Sequence, residues 1–320
     1  MQLQQLSYFL AVARTQHFTR AADALGVAQP SLSKQIRVLE TELGAPLFSR
    51  ARGNITLTPA GEALLPLANR ILADVDTARL EVQELVGLRH GRVRLGATPS
   101  LCSGLLGDAL RHYHDAYPGI RLLVEEGGSR DLIRQLTRGE LDLALVILPL
   151  PEDTPLATTP ILRDDLVVAT RRDDATLHGR TSLRVTDLRD RPLVMFRQGY
   201  DLRETTIAAF RAAGFEPRFA VEGGEMDAVL RFVEVGLGVA VVPSTVLAGR
   251  PMLQGIPLSD ATGGTARIAH GLHRTVALAH RKDVAPTHAA GAFRATLEGF
   301  LRAAAVDGGL PVGVESLIGG

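Results

Sequence analysis

Between Phe18 and Glu40 the chain twice repeats apolar residues at helical spacing, with one glycine between the runs. Ala21, Ala22 and Leu25 share a face of the first run, and the alanines are small enough for another helix to approach closely. Thr19 is expected to cap this helix with its hydroxyl. Gly26 stands where the chain needs a left-handed residue to leave a helix, and Val27 can plug the turn. In the second run Leu32, Ile36 and Leu39 fall at i, i+4 and i+7, one buried stripe. The opposite face carries Gln29, Ser31, Lys34 and Arg37, polar and basic without an acid. A helix held from behind, with hydrogen-bonding side chains at its N-terminal end, has the form of the groove-reading second helix of a helix-turn-helix. The plainer alternative is a helical hairpin with a solvated face, because such patterns also arise by chance.

The adjoining segment favours the helix-turn-helix. Leu43 to Gly61 reads as a β-hairpin wing with Arg50 and Arg52 at its tip, then a new helix. The block resembles the LysR-type transcriptional regulators. The resemblance rests on Ala21-Ala22, Leu25, Gln29-Pro30-Ser31, Ser33, Ile36, Leu39-Glu40, Leu43-Gly44, Leu47-Phe48, Arg50 and Leu57-Thr58-Pro59-Ala60-Gly61. Ala28 departs from it, standing where the family often has a serine or threonine cap; losing such a cap costs about 1 kcal/mol.

Composition narrows the classes. The 320 residues are enough for two or three domains with real cores, and 46% hydrophobic with 22% charged residues is the balance of a soluble globular chain. Bases and acids number 35 each, so a nucleic-acid binder of this composition must localise its positive charge. Within residues 1–58, Arg14, Arg20, Lys34, Arg37, Arg50 and Arg52 face Asp23, Glu40 and Glu42, a modest surplus of bases. Affinity for DNA should therefore depend on two or more such heads on one site. The single cysteine, Cys102, precludes an internal disulfide and with it peroxide sensing by that route. No signal peptide or membrane-length apolar run is visible, so a cytoplasmic location is expected.

In chain order, Leu6, Phe9, Leu10 and Val12-Ala13 predict a first helix backing the helix-turn-helix pair. Thr58-Pro59 opens a long helix, with a capping threonine and proline at the first helical position. Leu64, Ala68, Ile71, Val75, Ala78, Val82 and Leu85 form an a/d stripe along it, which favours a dimerisation seam over packing on its own domain. Pro66 predicts a kink near Glu62 to Pro66, and Gly87 to Gly91 reads as a hinge. From Arg92 strands alternate with helices, implying a mostly parallel sheet covered on both faces.

The expected fold class is α/β with an N-terminal winged helix-turn-helix, a long linker helix and a two-lobed effector domain similar to periplasmic binding proteins. Its parts are residues 1–58 for the DNA-binding domain and 59–90 for the linker helix and hinge. The effector domain spans 91–304, with lobe I at about 91–162 and 267–304 and lobe II at about 163–266. Residues 305–320 form a glycine-rich tail expected to be disordered. The Gly139-Glu140-Leu141-Asp142 turn and the Gly236-Leu237-Gly238 to Pro243 stretch match the family's features.

Ligands in open α/β sheets sit at the carboxyl ends of strands, often at helix N-termini. Three loops satisfy that rule: Thr98-Pro99-Ser100, Gly127-Gly128-Ser129 and Phe196-Arg197-Gln198-Gly199-Tyr200. By resemblance they line an inter-lobe cleft for a small effector, and Thr98, Ser100, Ser129, Phe196, Arg197 and Gln198 are the candidate contacts. Ser100, Ser129 and backbone amides would hold a carboxylate or similar anion, with Arg197 as counter-charge. The bland alternative makes both serines helix caps and leaves Arg197 solvated. The DNA contacts implied are Gln29, Pro30, Ser31, Ser33 and Lys34 from the recognition helix, with Arg37, Arg50 and Arg52 neutralising phosphates. Implied partners are a double-stranded operator, a small effector, further copies of the chain as dimer or tetramer, and RNA polymerase.

No catalytic set, cofactor motif or metal site is legible. His112 and His114 point apart on a helix, and Gly236-x-Gly238 leads into a strand rather than a helix. Cys102 reads more readily as a small buried hydrophobe than as a thiol switch. The competing function is a small-molecule binding protein whose N-terminal domain serves only association.

Overall fold

A computed structural model describes residues 1–49, 55–84, 91–259 and 272–319. They form two compact units. In the first, α1 (Leu3–Thr15), α2 (Phe18–Leu25) and α3 (Gln29–Leu43) surround a core in which Phe9, Leu32, Ile36 and Leu39 are wholly buried. Each such side chain contributes ~1.5–3 kcal/mol of transfer free energy. The cap of α2 is His17, not Thr19: its Nδ1 accepts from the Thr19 and Arg20 amides at 3.2 and 3.4 Å. The helix starts two residues earlier than the threonine reading requires, because Phe18 is buried in the core and so belongs to the helical face. Ala28 precedes α3 without a side-chain cap, as its chemistry dictates.

The short hairpin of β1 (Phe48–Ser49) and β2 (Thr56–Leu57) is antiparallel, with Phe48 opposite Leu57. Phe48 fastens it to the helices, its ring 5.4 Å from that of Phe9 and 5.8 Å from that of Phe18. Glu40 adds a polar tie, accepting from the Leu47 and Phe48 amides at 2.8 and 3.3 Å. The expected wing tip, with Arg50 and Arg52, lies outside the described residues, as does most of the hinge from Gly87.

Helix α4 (Pro59–Glu84) begins as expected: the Thr58 hydroxyl accepts from the Gly61 amide at 3.1 Å and donates to the Pro46 carbonyl at 2.6 Å. Gly61 is demanded by closeness, since a Cβ there would lie 2.2 Å from the Leu47 oxygen. The helix continues on both sides of Pro66. Its a/d stripe divides. Ala68 is fully buried, and Leu64 and Ile71 pack beside it on the unit's own core, so this part is no seam. Ala78 and Val82 are exposed.

The second unit is built on a sheet of nine strands among the described residues. β3 (Gly91–Ala97) leads into a helical stretch made of α5 (Pro99–Leu101), a π-turn at Cys102–Leu106 and α6 (Gly107–Ala116). β4 (Ile120–Glu126), α7 (Ser129–Thr137) and β5 (Leu143–Leu148) complete a parallel trio in the order β4-β3-β5. Asp142, in the turn before β5, clamps this trio: it takes the Arg94 amide at 2.7 Å and the Arg94 guanidinium Nε at 3.1 Å.

β6 (Leu156–Arg171) then runs sixteen residues without a break. β7 (Leu183–Arg184), β8 (Leu193–Met195), α8 (Asp201–Ala212), β9 (Phe219–Glu222), α9 (Met226–Glu234), β10 (Ala240–Pro243) and β11 (Leu253–Ser259) build the second lobe around its later half. Gly238 lets β8 and the start of β10 meet, for a Cβ there would lie 2.3 Å from the Pro192 oxygen. β12 (His273–Arg281) pairs antiparallel with both β5 and β6, and α10 (His288–Val306) covers the first lobe. The sheet is mixed rather than mostly parallel, because β6 and β12 return between lobes against the direction of their neighbours. The run from Ala266 to Leu272, which the sequence also reads as a strand, falls almost wholly outside the described residues.

The tail departs most from expectation. Instead of being disordered, it forms β13 (Val314–Ser316), which pairs antiparallel with β6 at Asp164, Arg163 and Leu162. Leu310, Val314 and Ile318 pack on the first lobe's core. Glycines at 308, 309 and 313 signal turns here, not an unfolded chain. Ending the chain at Asp307 should therefore destabilise the second unit by ~2–4 kcal/mol, from three half-buried side chains and a strand, read as a lower thermal midpoint.

Candidate functional site

Two surfaces carry the candidate residues. The first is the outer face of α3. Gln29, Pro30, Ser31, Lys34 and Arg37 are exposed and Ser33 is half-buried, while the stripe Leu32, Ile36 and Leu39 is fully buried behind them. The Gln29 amide nitrogen donates to the Ser33 hydroxyl at 2.8 Å, one helical turn on, which orders that side chain at the helix start. The inner edge is secured too, where Gln5 donates to Gln35 at 3.1 Å. Arg50 and Arg52 have no described position.

The second surface is a cavity of about 260 Å³ in the second unit, at the carboxyl ends of the strands. Thr98 and Ser100 line it from the start of α5, Gly128 from the loop before α7, and Tyr200, Asp201 and Thr205 from the start of α8. Its remaining walls include Pro99, Ile147, Leu148, Leu166 and Leu202, with His273 and Arg274 from β12. A mostly apolar concavity with a few converging polar groups is the usual form of a small-molecule site.

At its base lies a buried network. Arg274 is 6% exposed and Asp164, opposite it on β6, is wholly buried. Arg274 donates through Nε and Nη2 to Asp164 Oδ2 at 3.1 and 2.8 Å, and through Nη1 to the Ser100 hydroxyl at 2.6 Å. Thr245 donates to the same carboxylate at 2.9 Å. Ser100 and Thr98 hydroxyls are 3.2 Å apart.

Of the sequence-predicted effector contacts, only Thr98 and Ser100 reach the cavity. Ser129 is buried at the start of α7 with its hydroxyl 3.5 Å from the Ile147 amide, and its own amide donates to Asp201 at 3.3 Å. Phe196 is buried under Tyr200, the rings stacked at 4.6 Å. Gln198 is exposed. Arg197 is half-exposed and donates to Glu225 at 2.7 Å, so it is no counter-charge for the cavity; the arginine found there is Arg274. Sequence reasoning missed Arg274 and Asp164 because they lie 110 residues apart. The one signal was a charged residue inside each of two strand-like runs. It also passed over Tyr200, the last residue of a loop already singled out.

Burial pushes the Tyr200 phenol well above its ordinary range, with Arg274 opposing, so it is a neutral hydroxyl at neutral pH. Burial, then the charge of Glu126, pushes the Cys102 thiol up to about 12, which leaves it protonated and unreactive. Glu126 itself, at the end of β4, is raised by partial desolvation and by Glu225 and Asp227 at the start of α9.

Such a chain pairs a DNA-reading head with a ligand-binding body. The comparisons agree. Residues 3–62 match the model of the bacterial regulatory helix-turn-helix protein, lysR family, and residues 87–302 the LysR substrate binding domain. The chain is 34% identical over 248 residues to the transcriptional dual regulator GltC of Bacillus subtilis, covering 78% of this chain and 82% of that one. It is also 34% identical to a probable hydrogen peroxide-inducible genes activator of Streptomyces viridosporus, over 88% and 89% of the two chains. Among solved structures it resembles a full-length OxyR variant from Pseudomonas aeruginosa (TM-score 0.72, 26% identity, 93% and 95% covered). It likewise resembles full-length CbnR complexed with its target DNA (TM-score 0.67, 25% identity, 95% and 100% covered). The protein belongs to the LysR family of transcriptional regulators, with a helix-turn-helix DNA-binding domain and an effector-binding domain.

The network and Glu126 each give an expected outcome. Asp164→Ala strands a buried guanidinium and should cost about 3–5 kcal/mol, measured by denaturant unfolding. A carboxyl raised in the folded state stabilises fully below its unfolded value, 4.5, and loses that contribution as pH rises through the folded one. Glu126→Gln should therefore match the parent below pH 4.5 and exceed it in thermal midpoint toward neutrality, in midpoints recorded across pH.

Proposed function

We propose that this regulator reads its operator through the N-terminal half of α3 and answers to a small molecule held in the second unit's cavity. The observation that carries the first part is the two-sidedness of α3: three fully buried apolar residues on one side, and Gln29, Pro30, Ser31, Lys34 and Arg37 exposed on the other. A rod so anchored inserts in a major groove without giving up its own packing. Gln29 and Ser31, with Ser33 beside them, supply groove contacts; Lys34, Arg37, Arg50 and Arg52 supply phosphate contacts.

Heads work in pairs. The modest basic surplus of the N-terminal domain gives one head little affinity alone. The outer part of α4, with Ala78 and Val82 exposed, supports self-association there, with the tetramer and RNA polymerase as further assemblies by family analogy. Ligand binding shifts an existing equilibrium between quaternary arrangements and so the spacing of the heads. No helix among the described residues is long and apolar enough to cross a membrane, which accords with a cytoplasmic regulator.

A gel-shift assay with DNA upstream of the neighbouring, divergently transcribed gene tests the reading. Gln29→Ala should chiefly relax sequence preference. Arg52→Ala should weaken binding to all sequences and reduce the slope of log affinity against log salt by about 1. Unaltered specificity in Gln29→Ala would put a different residue in the groove.

A further inference from the structure

The ordered tail lies where the two lobes join. Leu162 belongs to the first lobe's core and Leu166 to the second's, so β6 changes lobe within four residues. The return passage is as short, for Leu272 packs on the second lobe and Val276 on the first. Between the two passages the Leu166 amide donates to the Leu272 carbonyl at 2.7 Å. Among the described residues, these neighbouring stretches carry the chain from lobe to lobe. A two-stranded ribbon twists further than a wider sheet. When domains rotate, a few residues at their junction absorb the φ/ψ change. Left to themselves, β6 and β12 form such a joint.

The tail adds a third strand there. β13 pairs with β6 on the side away from β12. The Leu317 amide donates to the Ile161 carbonyl at 3.0 Å, and the Asp165 amide to the Gly313 carbonyl at 2.8 Å, so the pairing runs up to the joint. Leu310, Val314 and Ile318 anchor the tail on the first lobe's core.

Its leading end meets the second lobe. Gly313 has φ +85°, and a Cβ there would lie 2.7 Å from the Ser244 hydroxyl and 3.2 Å from Asp165 Cβ. Ser244 in turn donates to the Asp165 carbonyl at 3.2 Å. Asp165 is therefore held through its amide by the tail and through its carbonyl by the second lobe. Rotation of the lobes about this residue strains one bond or the other. The contacts border the buried network as well: Asp164 stands opposite Val314, and Thr245, which donates to Asp164, follows Ser244.

We propose that residues 308–319 act as a strap on this joint: fixed to the first lobe and closed against Ser244 of the second at Gly313, they hold the lobes in the arrangement seen here, and any other arrangement requires the strap to lift. A ligand that prefers another arrangement works against the strap, and one that prefers this arrangement is aided by it.

Distances between spin labels at Arg211→Cys on α8 and Arg294→Cys on α10, both exposed positions, test it in the full-length protein. Cys102→Ala removes the native thiol, and labelled chains are diluted in unlabelled ones. With the tail intact, one narrow distribution is expected. Ending the chain at Asp307 should raise the population at other distances on the order of tenfold, the effect of losing two ordinary hydrogen bonds. Gly313→Val keeps the anchors but sets a branched side chain against Ser244 and Asp165. It should have the same effect, and it decides the matter if the shortened chain does not fold. Leu110→Ala weakens the first lobe's core while leaving the tail's own residues intact. It should lower the thermal midpoint and leave the distribution narrow. The proposal is overturned if the distribution is already broad with the tail in place, or if either tail variant, folded, stays within about twofold of the parent. It is overturned too if Leu110→Ala broadens the distances as much as Gly313→Val, since loss of stability alone would then explain the change.

Discussion

The second unit depends on one strand and on the charge it buries. β6 runs unbroken through both lobes, and from Leu162 to Asp164 it lies between β12 on one side and β13 on the other. Asp164 is wholly buried there and holds Arg274 with two donors. A buried pair of this kind adds little net stability, because desolvation offsets most of the attraction, yet losing one partner is expensive. Its contribution is to location. Arg274 reaches Ser100 and Asp164 reaches Thr245, so residues from four distant stretches take up one arrangement at the base of the cavity.

The head solves a different problem with simpler means. Its core buries the inner stripe of α3 under α1 and α2, and Phe48 locks the hairpin to Phe9 and Phe18. Most of the side chains that would meet DNA are left out of that packing. The exposed residues of α3 and the core residues therefore answer to separate constraints, and the helix can carry a different polar face at small cost to stability. The chain has zero net charge overall and this domain a modest surplus of bases, so its electrostatic attraction to DNA is sensitive to salt.

How much was legible in the sequence depended on the range of the interactions involved. The recognition helix, the Thr58 cap and the strands and helices of the second unit depend on periodicity and capping, which neighbouring residues carry. Near misses were also local. Thr19 lost the cap to His17 because burial of Phe18 drew the helix start back. Larger misses were long-range. Part of the stripe on α4 proved to be core, since Leu64, Ala68 and Ile71 pack on the head. The glycine-rich tail found an open side of β6 that no local pattern announces. The cavity's arginine came from β12 rather than from the loop of Arg197, whose guanidinium is taken by Glu225.

The sequence alone determined that a small, two-sided helix heads a long α/β body, because hydrophobic period and turn residues act within a few positions of one another. It determined the family for the same reason: the matching residues sit in one contiguous block. Only the tertiary structure decided which side chains line the cavity, which charges are already paired, and that the Tyr200 hydroxyl has no partner among the described residues. Those properties arise where strands and loops more than a hundred residues apart meet, and pairing across such distances leaves no periodic trace in the chain.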